Sequence, residues 1–236
     1  METETLPSRS LRKSELKPLL VRQMKLEQPD FRFFTFATGV FHFQRRRDFG
    51  DYDLREMLHL VYSFNDRVMQ ASVSSRLNPV HTLNPIYNNG LINPHIDLIA
   101  LKAGTDSVPA SGMTYQCDGS VDGTRDMVSA VVADFKNSGI RYLDRRWDEL
   151  QSNPLITAGI EIIKSWDHDR TMLGNELQAQ LKKAKFRIDR IRQPLLVDLK
   201  VRLESVPGQS HEAKQGIPRL AFDLIELYCS RRIAAY

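Results

Sequence analysis

The feature that most constrains this chain is a run of two-residue alternation between Phe31 and Arg76. It reads Phe-Arg-Phe-Phe-Thr-Phe-Ala-Thr-Gly-Val-Phe-His-Phe-Gln-Arg-Arg-Arg from Phe31, and Met-Leu-His-Leu-Val-Tyr-Ser-Phe from Met57. Successive strand side chains point to opposite faces, so apolar residues at every second position mark half-buried strands. Phe41, Phe43 and Arg45 are expected on one face, with Val40, His42, Gln44 and Arg46 on the other. Leu58, Leu60 and Tyr62 alternate in the same way with Met57, His59 and Val61, and Val68 to Ser74 returns with Met69, Ala71 and Val73 on one side. Ala37-Thr38-Gly39 and Asn65-Asp66 supply tight turns, and a polar link joins Asp48 to Asp53. The expected topology is a four-stranded antiparallel meander.

Helical periodicity flanks this sheet. Leu16, Leu19, Leu20 and Met24 follow a cap at Ser14 and cover the apolar face, with Pro18 near the first turn and Gln28-Pro29-Asp30 ending the helix. Residues 77–95 are rich in Asn and Pro and form a long loop, a type of segment that often carries function. Ile96 to Leu101 reads as a fifth strand and Met113 to Cys117 as a short one. From Thr124 the period is helical, with Gly139 as the C-cap, and Asn153-Pro154 caps a further helix carrying Leu155, Ile156, Ile160, Ile163 and Trp166. Leu173, Leu177, Leu181, Ala184, Ile188 and Ile191 form a near-heptad seam on a long helix that Pro194 ends. Residues 195–206 fit both a strand and a helix, with the helix favoured. Pro207 to Pro218 reads as a flexible link before a last helix carrying Leu220, Leu224, Leu227, Tyr228 and Ile233. The expected class is therefore α+β: an antiparallel β-meander covered by helices, with a mainly helical C-terminal part. The expected division is an α+β domain over 1–169 and a helical region over 170–236 that packs on it or on a partner.

The composition, 42% apolar and 26% charged over 236 residues, is that of a soluble globular chain. No apolar run approaches the roughly 20 residues that span a bilayer. The first ten residues carry no apolar signal core, and Cys117 and Cys229 lack CxxC spacing, so a reduced, cytoplasmic protein is expected. The net charge of +4 permits an acidic partner without requiring one.

The motifs of common chemistries are missing. There is no GxSxG elbow, no Ser-x-x-Lys, no GxxxxGK[ST] loop and no GxGxxG turn. His42 and His59, on neighbouring strands, form a pair that would suit zinc or proton transfer. They have no Cys or carboxylate at ligand spacing, and sheet-surface histidines are the favoured reading. Asp167-His168-Asp169 points its side chains apart on a helix, and Asp118, Asp122 and Asp126 lack the alternation of a calcium loop. No cofactor or metal is expected.

Basic clusters stand above background. Lys182, Lys183, Lys185, Arg187, Arg190 and Arg192 lie on the second half of the long helix, Arg45-Arg46-Arg47 ends a strand, and Arg145-Arg146 flanks Trp147. A solvated helix end accounts for such a face, and so does contact with phosphates or an acidic protein. The order of elements, a helix, a meander, then helices, resembles that of small bacterial α+β proteins without catalytic motifs, including some toxin-neutralising immunity proteins. The leading expectation is a non-enzymatic protein-binding or adaptor protein, with homo-oligomerisation through Leu173, Leu177, Leu181 and Ile188 included. The alternative is a nucleic-acid-binding protein using Arg45, Arg46, Arg47, Lys182, Lys183, Lys185, Arg187 and Arg190. A third reading is an enzyme with dispersed catalytic residues, for which His59 and Cys117 are the candidates.

Overall fold

The structure, a computed structural model, describes residues 13–37, 39–50, 52–79, 95–105, 113–168 and 188–234. They group into two compact units. Of the described residues, one unit holds those up to 76 together with those from 95 to 146, and the other holds 77–79 together with those from 147 onward, so the division falls inside a helix. The boundary expected after residue 169 lies outside the described residues, as does most of the Asn/Pro-rich segment.

The first unit is α+β, in keeping with the fold class read from the sequence. Helix α1 (Lys13–Glu27) precedes strands β1 (Arg32–Ala37), β2 (Val40–Phe49), β3 (Tyr52–Ser63) and β4 (Val68–Pro79). The sheet runs β1-β2-β3-β4-β5, with the two-residue strands β5 (Ile96–Asp97) and β6 (Tyr115–Gln116) both pairing with β4. The meander read from the alternation is present. Its first turn needs Gly39, which stands at φ +78°, where a Cβ would come within 2.9 Å of the Tyr62 carbonyl oxygen. β2 and β3 pair without a break from Val40↔Val61 to Phe49↔Tyr52.

That register sorts the side chains. Phe41, Phe43, Leu58, Leu60, Tyr62, Met69, Ala71 and Val73 face Leu16, Leu20 and Met24 of α1 in one core. Met127, Val128, Val131 and Val132 of α3 (Val121–Asp134) complete it. Burying each such side chain stabilises by roughly 1.5–3 kcal/mol.

Several boundaries differ from the sequence reading, each for a local reason. The fifth strand stops after two residues because Asp97 turns the chain: its Oδ1 accepts the amides of Ile99 and Ala100 and caps α2 (Leu98–Lys102). Gly139 does not end a helix. It lies in a π-helical turn, Phe135–Gly139, that joins α3 to α4 (Ile140–Ser152), and a Cβ there would meet the Phe135 ring at 2.6 Å and Leu98 at 3.2 Å. The glycine is kept by this close approach rather than by capping.

The second unit is helical. Asn153 caps α5 (Pro154–His168) as expected, its Oδ1 accepting from the amides of Leu155 and Ile156. α6 (Ile188–Glu204) settles residues 195–204 as helix, and α7 is His211–Ala234. Pro194 lies inside α6 rather than at its end. A proline inside a helix costs about 3 kcal/mol. Leu195, Leu199 and Leu203, all buried on one helical face in the turns that follow the proline, together offset it. Pro218 is likewise inside α7, so the linker shrinks to the few residues after Glu204. There Gln209 Nε2 donates to the carbonyls of Leu203 and Val206, and Ser210 Oγ accepts from the Ala213 amide. Trp166 of α5 meets Tyr228 of α7 edge-on, with centroids 5.3 Å apart.

Candidate functional site

Three features of the first unit bring chemistry-bearing side chains together. The first is a groove along the sheet edge. β1 pairs only with β2 among the described residues, so its outer row of backbone groups has no strand beside it. A groove of about 660 Å³ lies at the start of β1, lined by Pro29, Asp30, Arg32, Phe33, Phe34, Gln44, Arg45 and Arg46. Arg32 is exposed and has no carboxylate in ion-pair reach among the described residues. Gln44 is half-buried, and its Nε2 is a buried donor that meets no acceptor in them. Orphaned donors of this kind are rare in folded proteins.

The second feature explains what the arginines are doing. Alternation divides the run Arg45-Arg46-Arg47 between the two faces of the sheet. Glu56, opposite Arg45 in register and fully buried, accepts from Arg45 Nε at 2.5 Å and Arg47 Nε at 3.1 Å through one oxygen, Oε2. Asp144 of α4 accepts from both guanidinium groups as well, at 3.0 Å from Arg45 Nη2. Arg45 also lies 5.0 Å from the centre of the Phe31 ring. The two arginines thus tie the sheet to α4, while Arg46 projects from the opposite face, 56% exposed, with Asp53 at 3.8 Å. Lys182, Lys183, Lys185 and Arg187 lie outside the described residues, as does the side chain of Arg190. Arg192, at the other end of that basic cluster, bonds Glu226 at 3.1 Å in the second unit.

The third feature is a histidine column on the sheet face away from α1 and α3. His42 and His59 are register partners with ring centroids 4.7 Å apart, and His95 joins them at 4.4 Å from His59. His59 is buried rather than on the sheet surface, and its Nε2 lies 2.8 Å from Ser74 Oγ. Arg76 Nη2 lies 3.1 Å from His95 Nε2. A guanidinium only donates, so that nitrogen accepts, and His95 is neutral with its proton on Nδ1. Burial lowers the pKa of all three histidines, that of His59 to about 2, and the neighbouring rings and Arg76 act in the same direction on His59. On the same face Arg55 and Asp53 form a buried pair at 3.0 Å, with burial holding the Asp53 carboxyl above its ordinary range despite the guanidinium.

The remaining sequence candidates do not converge. Cys117 sits under the other face of the sheet, its sulfur 3.5 Å from Tyr62 Oη and 3.8 Å from Thr124 Oγ1, so it forms no pair with His59. Both cysteines are free thiols; Cys229 is buried and Cys117 half-buried. Asp118 accepts from the Ser120 amide at a turn, and Asp122 pairs with Arg125. Among the described residues no group of three His, Cys, Asp or Glu side chains could hold a metal ion. Nor is any helix among them long and apolar enough to cross a membrane. The side chains of Asp167, His168 and Asp169, and of the seam residues Leu173, Leu177, Leu181 and Ile188, lie outside the described residues.

Glu56, Asp144, Ser74, Arg76 and His95 were not singled out by the sequence. Glu56 alone left a signal there: it occupies a core-facing position in Leu54-x-Glu56-x-Leu58-x-Leu60, where a charge needs a buried partner. No family model, curated protein or solved structure matches the chain.

Glu56→Gln removes the buried charge that two arginines share and is expected to cost about 3 kcal/mol in urea unfolding. Arg46→Gln, at an exposed pair, should cost less than about 1 kcal/mol. The histidine column sets an acid limit. Folded-state pKa values below the ordinary 6.5 mean that the unfolded chain takes up protons first, so this stability is present above about pH 6.5 and is lost as pH falls. His59, the most deeply buried, should contribute a slope of about 1.4 kcal/mol per pH unit. His59→Gln, measured by urea unfolding between about pH 7 and about pH 5, should remove that slope.

Proposed function

We propose that this chain is a non-enzymatic protein-binding module, acting in the cytoplasm, that takes an extended segment of a partner at the outer edge of β1. The observation that carries this reading is the edge itself: a strand with no strand on its outer side among the described residues, and at its start a groove with a buried orphan donor in its wall. A free strand edge is a template for another chain, and adding a strand satisfies a row of backbone donors and acceptors at once. The polar clusters elsewhere in the unit support the same reading by what they are committed to. Arg45 and Arg47 are neutralised by Glu56 and Asp144, which leaves little charge there for a polyanion. His59 and Ser74 are both buried, so their hydrogen bond serves the packing of the sheet.

The test is selection of binding segments from a library of displayed random peptides, followed by amide exchange on the complex. Selected segments are expected to slow exchange along Arg32–Ala37. Failure to enrich any sequence, or protection confined to another surface such as α6, would contradict the proposal.

A further inference from the structure

Resting on the edge-docking reading above, we infer that the segment accepted at β1 is acidic, with its carboxylates set on Arg32 and Arg46 and a side-chain or backbone oxygen on Gln44 Nε2. The groove offers donors and cations in excess of acceptors. Arg32 and Gln44 are register partners, so the exposed guanidinium and the orphan amide stand side by side across the two outermost strands. Arg46 follows two residues after Gln44 on the same face of β2, where side chains recur with the strand period. Its contact with Asp53 is long and its side chain mostly exposed, so it is available to a second carboxylate. Asp30 is the opposing charge in the groove wall, and Arg45 is already committed to Glu56 and Asp144.

An incoming strand presents alternate side chains to each face of the sheet. A Glu or Asp facing Arg32 would pair with it directly, and the next on that face, toward Asp30, would come within reach of the long side chain of Arg46 on β2, with the intervening side chains on the side of Phe33. Arg32 makes no ion pair with a described residue, so pairing there displaces no existing bond, with Asp30 the one opposing charge beside it in the groove wall. A nucleic acid would fit less well: it has no backbone amides or carbonyls to pair with the β1 edge, and the groove supplies few uncommitted cations.

The probes are short synthetic peptides alternating Thr with Glu, Thr with Lys, or Thr with Val, and an oligothymidylate of similar length, titrated against the full chain. The Thr-Glu peptide is expected to bind most tightly and to weaken as salt rises from about 50 to about 300 mM. Arg32→Glu with Arg46→Glu should weaken it about tenfold or more while leaving the circular dichroism spectrum unchanged. Arg32→Gln, a milder change at an exposed site, should weaken it in the same direction. Equal binding of the Thr-Lys or Thr-Val peptide would overturn the acidic preference and leave edge docking standing. Binding of the oligothymidylate alone, lost in the double variant, would overturn both in favour of nucleic acid. No binding by any probe at low salt would also overturn both.

Discussion

The pairing of β2 with β3 is the constraint on which the rest of the first unit depends. Its register places Phe41 on Leu60 and Phe43 on Leu58 in the core, Arg45 on Glu56 beside that core, and His42 on His59 on the opposite face. A slip of one residue would turn every side chain of one strand over. His59 and Arg55 would then meet the apolar residues of α1, and Glu56 would lose both arginines. The register is specified by the sequence at each of these levels together: apolar alternation, one buried carboxylate facing two guanidinium groups, and a neutral histidine column. Agreement of that kind marks a sequence that selects one pairing over its neighbours.

The same pairing explains how a run of three arginines comes to have two roles. On a helix they would spread around the axis; on a strand, alternation sends Arg45 and Arg47 to one side and Arg46 to the other. The buried side has Glu56 and Asp144 waiting, so two charges become struts between the sheet and α4. The outer side leaves Arg46 near Arg32 and Gln44 at the edge. Charge in the sequence is thus a poor guide to charge available at the surface, because register decides how much of it is already paired.

Much of the fold was legible in the sequence because period and turn chemistry are local. The alternation through β2 and β3, Gly39 at the first turn, and Asn153-Pro154 at the start of α5 were all readable from residues close together in the chain. What was misread depended on contacts far along the chain. Pro194 and Pro218 signal a stop, yet the buried residues that follow them, Leu195, Leu199 and Leu203 in α6 and Ala221, Leu224 and Leu227 in α7, outweigh the lost hydrogen bond. Gly139 looks like a cap, yet it admits the Phe135 ring and Leu98. His95, Ser74 and Arg76 gain their roles only when β4 and the residues before β5 come beside β3, and no local pattern announces that. Arg45 to Arg47 were visible as a cluster, whereas their division between partners required the register.

The reading of β1 as an open edge is tested most directly by native-state amide exchange on the free chain. Along Arg32–Ala37, the amides that point away from β2 should exchange far faster than those of Val40–Gln44 in β2, which has a strand on both sides there. Uniform protection of β1, equal to that of β2, would mean that its outer edge is already covered, and the docking site would have to lie elsewhere.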